Sequence, residues 1–360
     1  MLVTMGAGMK NKKPLEKLMN EYDKKPRTPL KIGVCLSGGA IRGLAHVGVL
    51  RVLYNEFIPI DFITGSSAGS IVAGLYALYG YHSSWSAFEK TLKSNSIFKI
   101  KKNKNDELFD SGYFKGWLKE MLGNATFDDV KIPFEVTALD IVSGKTIYIN
   151  EGYLRDAIYA SCAVPGVWKP AKAGNMLLVD GSFGNDVPVE WLRGKGADVI
   201  IVSLVNIYNE FLYGSGLSFS HMLKLLTSSS VIKPFIIAGG TGLEYATRGI
   251  TAKEARPLRT LVRTMALFGK NFNEQKWGSD ADVKIVPSIG DFYSSNPGYL
   301  SRNKRTEFIA AGAIATWKKI PQLKQLLGEI KLKKEMSVSA SDKIKKQIKN
   351  VKNSFLKLVG

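Results

Sequence analysis

Two strand-turn-helix units in direct succession constrain the fold of this chain more than any other feature. The β-rich run Ile32 to Leu36 leads through the glycine turn Ser37 to Gly43 into Leu44 to Asn55, where Leu44, Val47, Leu50, Val52 and Leu53 recur at helical spacing. The apolar run Ile60-Asp61-Phe62-Ile63-Thr64 leads through Gly65-Ser66-Ser67-Ala68-Gly69 into a helix-like run from Ile71 to Tyr79. Strands alternating with helices imply a largely parallel sheet covered by helices.

The rhythm continues downstream. Phe134 to Leu139 and Thr146 to Ile149 read as strands around the turn Ser143-Gly144, Leu154 to Ala160 as a helix, and Val199 to Val205 as a buried parallel-type strand. Met176 to Val179 leads into Asp180-Gly181-Ser182. Residues 206–281 carry glycine pairs, serine runs and aromatics, which suggest helices joined by loops. A strand at Val283 to Pro287 and a helix at Arg305 to Trp317 follow. The expected organisation is a basic polar leader over 1–30, one α/β domain over 31–320 with 206–281 as a variable insertion, and a mobile basic helical tail over 321–360.

With 45% hydrophobic and 22% charged residues, the 360-residue chain has a soluble globular composition, and no apolar run is long enough to span a bilayer. Residues 1–31 lack the apolar core of a signal peptide. Cys35 and Cys162 cannot build a disulfide framework, which fits a reducing, cytoplasmic setting. Two cysteines and three histidines show no paired ligand spacing, so neither metal nor cofactor is expected. The formal charge of +19 is uneven: Lys10, Lys12, Lys13, Lys17, Lys24, Lys25, Arg27 and Lys31 form one patch, Lys99, Lys101, Lys102 and Lys104 another, and Lys318 to Lys357 a third. Such patches attract polyanions, either nucleic acid or an anionic membrane surface.

A serine at a sharp strand-to-helix turn needs small neighbours, here Gly65 and Gly69, and gains an exposed hydroxyl at a helix N-terminus; Ser67 is therefore a candidate nucleophile. Three readings fit Ser37-Gly38-Gly39-Ala40-Ile41-Arg42-Gly43. A P-loop would need Lys-Ser/Thr where Leu44-Ala45 stands, and a dinucleotide fingerprint needs a different glycine spacing. An oxyanion hole built on Gly38, Gly39 and Ala40, with Arg42 as a cationic donor, is the reading that also explains Ser67. For the base, a Ser-His-Asp order would require a histidine after the acid. Of His46, His82 and His221 only the last follows Asp180, while His46 sits among apolar residues as a core histidine would. The alternative base is Asp180 itself, at the end of a strand where open α/β sheets place their sites.

Together Leu36-Ser37-Gly38-Gly39, Gly65 to Ser70, Ala138-Leu139-Asp140, Ala160-Ser161-Cys162-Ala163-Val164-Pro165-Gly166, Asp180-Gly181, and Asn185 with Val187-Pro188-Val189 resemble the patatin-like phospholipase family, in its order. The likeness is closest to its bacterial members and the related neuropathy target esterase catalytic domain. It covers about residues 31–205 and resumes near 282–317. The resemblance implies a three-layer α/β/α fold with a mainly parallel central sheet. It further implies a Ser67–Asp180 dyad working without histidine, with oxyanion donors at the N–H groups of Gly39 and Ala40 beside Arg42. Two departures stand out: Ala40 replaces the family's usual third glycine, and Ser182 stands where D-G-G or D-G-A is common. The expected activity is cleavage of fatty-acyl esters of phospholipids or lysophospholipids through an acyl-enzyme. The protein would sit peripherally on the inner face of an anionic membrane, with no specific nucleic-acid partner. Phe211, Tyr213, Phe219 and Phe235 are candidates to cover the acyl chain. The competing functions are a polyanion binder on a decayed hydrolase scaffold and an acyltransferase using the same site.

Overall fold

Every residue of the strands Ile32–Leu36 and Val199–Ser203 is buried, as in strands covered on both faces. The computed structural model describes residues 30–93, 111–165, 167–205, 278–289 and 302–359. In chain order, short 3-10 turns aside, these form β1 (Ile32–Leu36), α1 (Leu44–Asn55), β2 (Phe62–Gly65), α2 (Ala68–Lys93), α3 (Ser111–Leu122), β3 (Phe134–Asp140), β4 (Lys145–Ile149) and α4 (Leu154–Cys162). There follow β5 (Ala171–Ala173), β6 (Met176–Asp180), α5 (Val189–Gly194), β7 (Val199–Ser203), β8 (Val283–Ile285) and α6 (Arg302–Val359). His221, the four aromatics of the insertion, residues 1–29 and Lys99 to Lys104 lie outside the described residues.

Among the described residues the strands form one sheet in the order β5-β6-β3-β2-β1-β7-β8, with β4 beside β3. The run from β3 to β8 is parallel throughout, and β4, β5 and β6 add antiparallel pairs. Successive strand side chains alternate faces. Val34, Leu36, Ile63, Val136 and Ile201 accordingly join α1, α2, α4 and α6 in the main core, while Cys35, Ile200 and Val202 pack with Val189 and Leu192 of α5 on the opposite face. This is a mainly parallel sheet between helical layers.

The register of β3 positions everything that follows. Val136 pairs with both Gly65 and Ile149, and Ala138 with both Asp180 and Ile147. Because β4 takes one edge of β3, β2 and β6 must share the other. They approach end to end from opposite directions, and Gly65 and Asp180 finish opposite residues only about 7 Å apart along β3.

Helix α6 lies on α1 at close range. A Cβ on Gly48 would collide with the Ile309 carbonyl oxygen, and one on Gly312 with that of Ala45. The helix extends well beyond the expected Arg305 to Trp317. The boundary expected at 320/321 falls inside it, because Ile320, Leu323 and Leu327 continue its buried stripe past Pro321. Among the described residues no helix is long and apolar enough to cross a membrane.

Candidate active site

Strand β2 ends at Gly65, and the chain turns into α2 within three residues. The turn is tight enough that a Cβ on Gly65 would meet the Gly69 carbonyl carbon at 2.5 Å, and one on Gly69 would collide with the Leu36 carbonyl oxygen. Ser67 adopts φ 50°, a left-handed conformation that costs a non-glycine residue roughly 1–2 kcal/mol. Hydrogen bonds hold it there: its N–H donates to Ser161 Oγ at 2.9 Å, and its carbonyl accepts the Ser70 hydroxyl at 2.6 Å. The side chain is not the exposed hydroxyl expected of such an elbow. Ser67 is only 8% accessible, since Gly38 passes so close that an added Cβ would lie 3.0 Å from Ser67 Cβ.

The Ser67 hydroxyl donates to Asp180 Oδ2 at 2.6 Å. Asp180 closes β6, its own N–H bonded to the Ala163 carbonyl at 3.1 Å, and its Oδ1 accepts the Ser182 N–H at 2.9 Å. Toward Asp180, Ser182 thus contributes its backbone N–H. Burial pushes the Asp180 carboxyl up to about 7, against the pull of the Ser67 and Ser182 hydrogen bonds and with a further push from the charge of Asp186. A carboxylate with a proton affinity near neutrality is a far better base for a hydroxyl than one of ordinary acidity.

The glycine loop runs beside this pair. Gly38, expected among the oxyanion donors, gives its N–H to Asp186 Oδ1 at 2.7 Å, so that group is already committed. Among the described residues the N–H groups of Gly39 and Ala40 meet no acceptor. Ala40 takes φ 50°, the conformation a glycine would adopt without strain, and the Arg42 N–H returns to the Gly39 carbonyl at 3.0 Å. Arg42 is 2% exposed.

His46 is fully buried on α1 and acts on the loop from behind. Its Nε2 faces the Ser37 carbonyl at 2.8 Å, so Nε2 carries the proton and donates; Nδ1 accepts the Ser203 hydroxyl at 2.9 Å. Burial lowers its pKa to about 4, leaving it neutral at physiological pH. The partner of the Ser67 hydroxyl is therefore a carboxylate, and His46 braces the loop. Sequence reasoning gave no role to three residues that hold the site: Ser161 and Ser182, which stand within its quoted motifs, and Asp186, which carried no signal. Among the described residues no cluster of His, Cys, Asp and Glu is arranged to hold a metal ion.

A strand-end serine bonded to a buried aspartate beneath a glycine loop defines a serine-aspartate site on a mainly parallel α/β sheet. Residues 34–192, which hold the serine, the aspartate and the glycine loop, match the family model described as patatin-like phospholipase. An uncharacterised NTE family protein of Mycobacterium tuberculosis is 31% identical over 186 residues, 50% of this chain and 49% of that protein. Lysophospholipase NTE1 of Yarrowia lipolytica is 26% identical over 200 residues, 52% of this chain and 14% of that one. A patatin-like phospholipase domain-containing protein of Caenorhabditis elegans is 30% identical over 213 residues, 54% and 15% respectively. The chain thus spans about half the length of the mycobacterial relative and a small part of the others. Among solved structures, VipD from Legionella pneumophila aligns over 82% of this chain and 67% of its own, at 13% identity and a TM-score of 0.47.

Proposed function

We propose that the protein is a serine acyl hydrolase of lipid esters, working through an acyl-enzyme on Ser67. The observation that carries this reading is the 2.6 Å hydrogen bond from Ser67 to a buried Asp180 whose pKa lies near 7. Asp180 takes the hydroxyl proton as Ser67 Oγ attacks the ester carbonyl, then delivers it to the departing alcohol. It next draws a proton from water, whose attack releases the fatty acid and restores the serine. The oxyanion is held by the N–H groups of Gly39 and Ala40, with Arg42 close by in the loop; each such donor is typically worth ~3 kcal/mol in the transition state. Gly38 holds the loop and donates nothing to the oxyanion. Relatives named as lysophospholipases support phospholipids or lysophospholipids as the substrate class.

The peripheral attachment proposed with it rests on α6. Ile314, Trp317, Leu332 and Met336 are exposed there, and at 100° per residue they fall on one face, away from the buried stripe and interleaved with exposed Lys318, Lys331 and Lys333. An apolar face edged by lysines suits an anionic bilayer.

The test is labelling with a fluorophosphonate, followed by hydrolysis of a panel of phospholipids and lysophospholipids with mass-spectrometric product detection. Stoichiometric labelling that Ser67→Ala removes, and loss of hydrolysis in both Ser67→Ala and Asp180→Asn with the fold intact, are the expected results. Full activity in either variant would overturn the dyad.

A further inference from the structure

The hydrolase reading leaves the buried carboxylate of Asp186 without a role. Asp186 is 0% exposed, and an ionised group in that position is costly unless its oxygens are well bonded. Its Oδ1 accepts both the N–H of Gly38 at 2.7 Å and the hydroxyl of Ser182 at 2.8 Å. Ser182 in turn donates its N–H to Asp180 Oδ1 at 2.9 Å and lies 3.3 Å, oxygen to oxygen, from the Ser66 hydroxyl.

Resting on the dyad proposed above, we infer that Asp186 is a positioning residue that locks the glycine loop and the Asp180 carboxylate to each other through Ser182. The contacts close a ring. Gly38 binds Asp186, Asp186 binds Ser182, Ser182 binds Asp180, Asp180 binds Ser67, and Ser67 lies against Gly38. Nucleophile, base and oxyanion loop come from three separate stretches of chain, and this ring sets their mutual distances. Anchoring the Gly38 N–H also sets the starting point of the peptide groups of Gly39 and Ala40. That is the preorganisation oxyanion binding requires.

The role has an electrostatic side, because the charge of Asp186 disfavours a second negative charge on Asp180. Around Asp180 stand Ser67, Ser182 and the Cys162 thiol of α4, which burial keeps protonated with help from the Asp180 charge. Around Asp186 stand Gly38, Ser182 and the Cys35 thiol of β1, likewise held protonated by burial, then by Asp186 and Glu190. Arg42 is the buried cation of the adjoining loop.

The experiment compares wild type, Asp186→Asn and Asp186→Ala by hydrolysis of p-nitrophenyl butyrate as a function of pH, by fluorophosphonate labelling rate and by circular dichroism. In Asp186→Asn the side-chain amide oxygen can keep both hydrogen bonds without the charge. Asp186→Ala is expected to lower kcat by about 100-fold with KM changed less than about 3-fold. Asp186→Asn is expected to recover most of that loss and to move the acid limb of kcat/KM down by roughly one pH unit, a shift that a merely structural side chain would not cause. An unmoved limb in Asp186→Asn overturns the inference even if the alanine variant fails to fold, as does a folded alanine variant with wild-type kcat. Absence of both hydrolysis and labelling in the wild type would overturn the hydrolase reading itself, and this inference with it.

Discussion

Asp180→Asn should trade activity for stability, and the amount depends on pH in a way that can be worked out. Burial raises the carboxyl from the ordinary 3.8 to about 7. About three units at ~1.4 kcal/mol each put the full penalty of holding the ionised carboxylate in the fold at about 4 kcal/mol. Since the folded state binds the proton more tightly than the unfolded chain, this group's contribution to stability is complete below about pH 4. It is lost progressively as the pH rises to about 7, and the loss is constant above that. Between about pH 5 and about pH 8 the loss comes to roughly 3 kcal/mol.

The asparagine variant has no such titration. It gives up one acceptor, because Ser67 and Ser182 each use a different carboxylate oxygen, at a cost of about 1 kcal/mol that is the same at every pH. The measurable quantity is therefore the change with pH in the stability difference between variant and wild type. Urea unfolding followed by circular dichroism at a series of pH values provides it, with a constant m-value as the check on comparable unfolded states. The variant should gain on the wild type by roughly 3 kcal/mol from about pH 5 to about pH 8 while losing ester hydrolysis throughout. A difference flat to within about 0.5 kcal/mol would refute the argument, since Asp180 would then titrate at its ordinary value and be a weak base.

His46 has the opposite sign. Its pKa falls from 6.5 to about 4 on folding, so its contribution is present above about pH 6.5 and is lost as the pH falls toward 4, a change of about 3 kcal/mol that His46→Gln should remove from the acid unfolding profile. Ala40→Gly should stabilise the loop by up to about 1 kcal/mol in urea unfolding, because the left-handed φ of 50° strains only a residue with a Cβ; destabilisation of that size would contradict the observed turn. Gly69→Ala should cost more than about 3 kcal/mol and the soluble yield should fall, since the new Cβ meets the Leu36 and Ser37 carbonyl oxygens with no side chain able to yield. Near-normal stability there would mean that the elbow has slack it does not display.

What was legible in the sequence, and what was not, divides by the range of the interactions involved. Glycines at 65 and 69 could be read because the crowding they relieve is local to one turn. Asp180 could be found because a carboxylate ending an apolar run marks a strand end. That Asp180 faces Ser67, rather than some other part of the sheet edge, follows from β3 dividing one edge between β2 and β6, a register that the apolar run Phe134 to Leu139 cannot reveal. The same limit explains Gly38. Spacing identifies a loop rich in N–H groups but not which of them is already engaged, and the acceptor of the Gly38 N–H lies 148 residues away. In α6 the lysine-rich composition pointed to a separate tail, whereas Ile320, Leu323 and Leu327 continue the buried stripe past Pro321. Burial of three large side chains outweighs one proline where the helix already lies on a core. At this site, then, the serine turn, the strand-end aspartate and the glycine loop could be located from local pattern, whereas Ser161 and Asp186, which reach residues 94 and 148 positions away, could be seen only once the sheet was assembled.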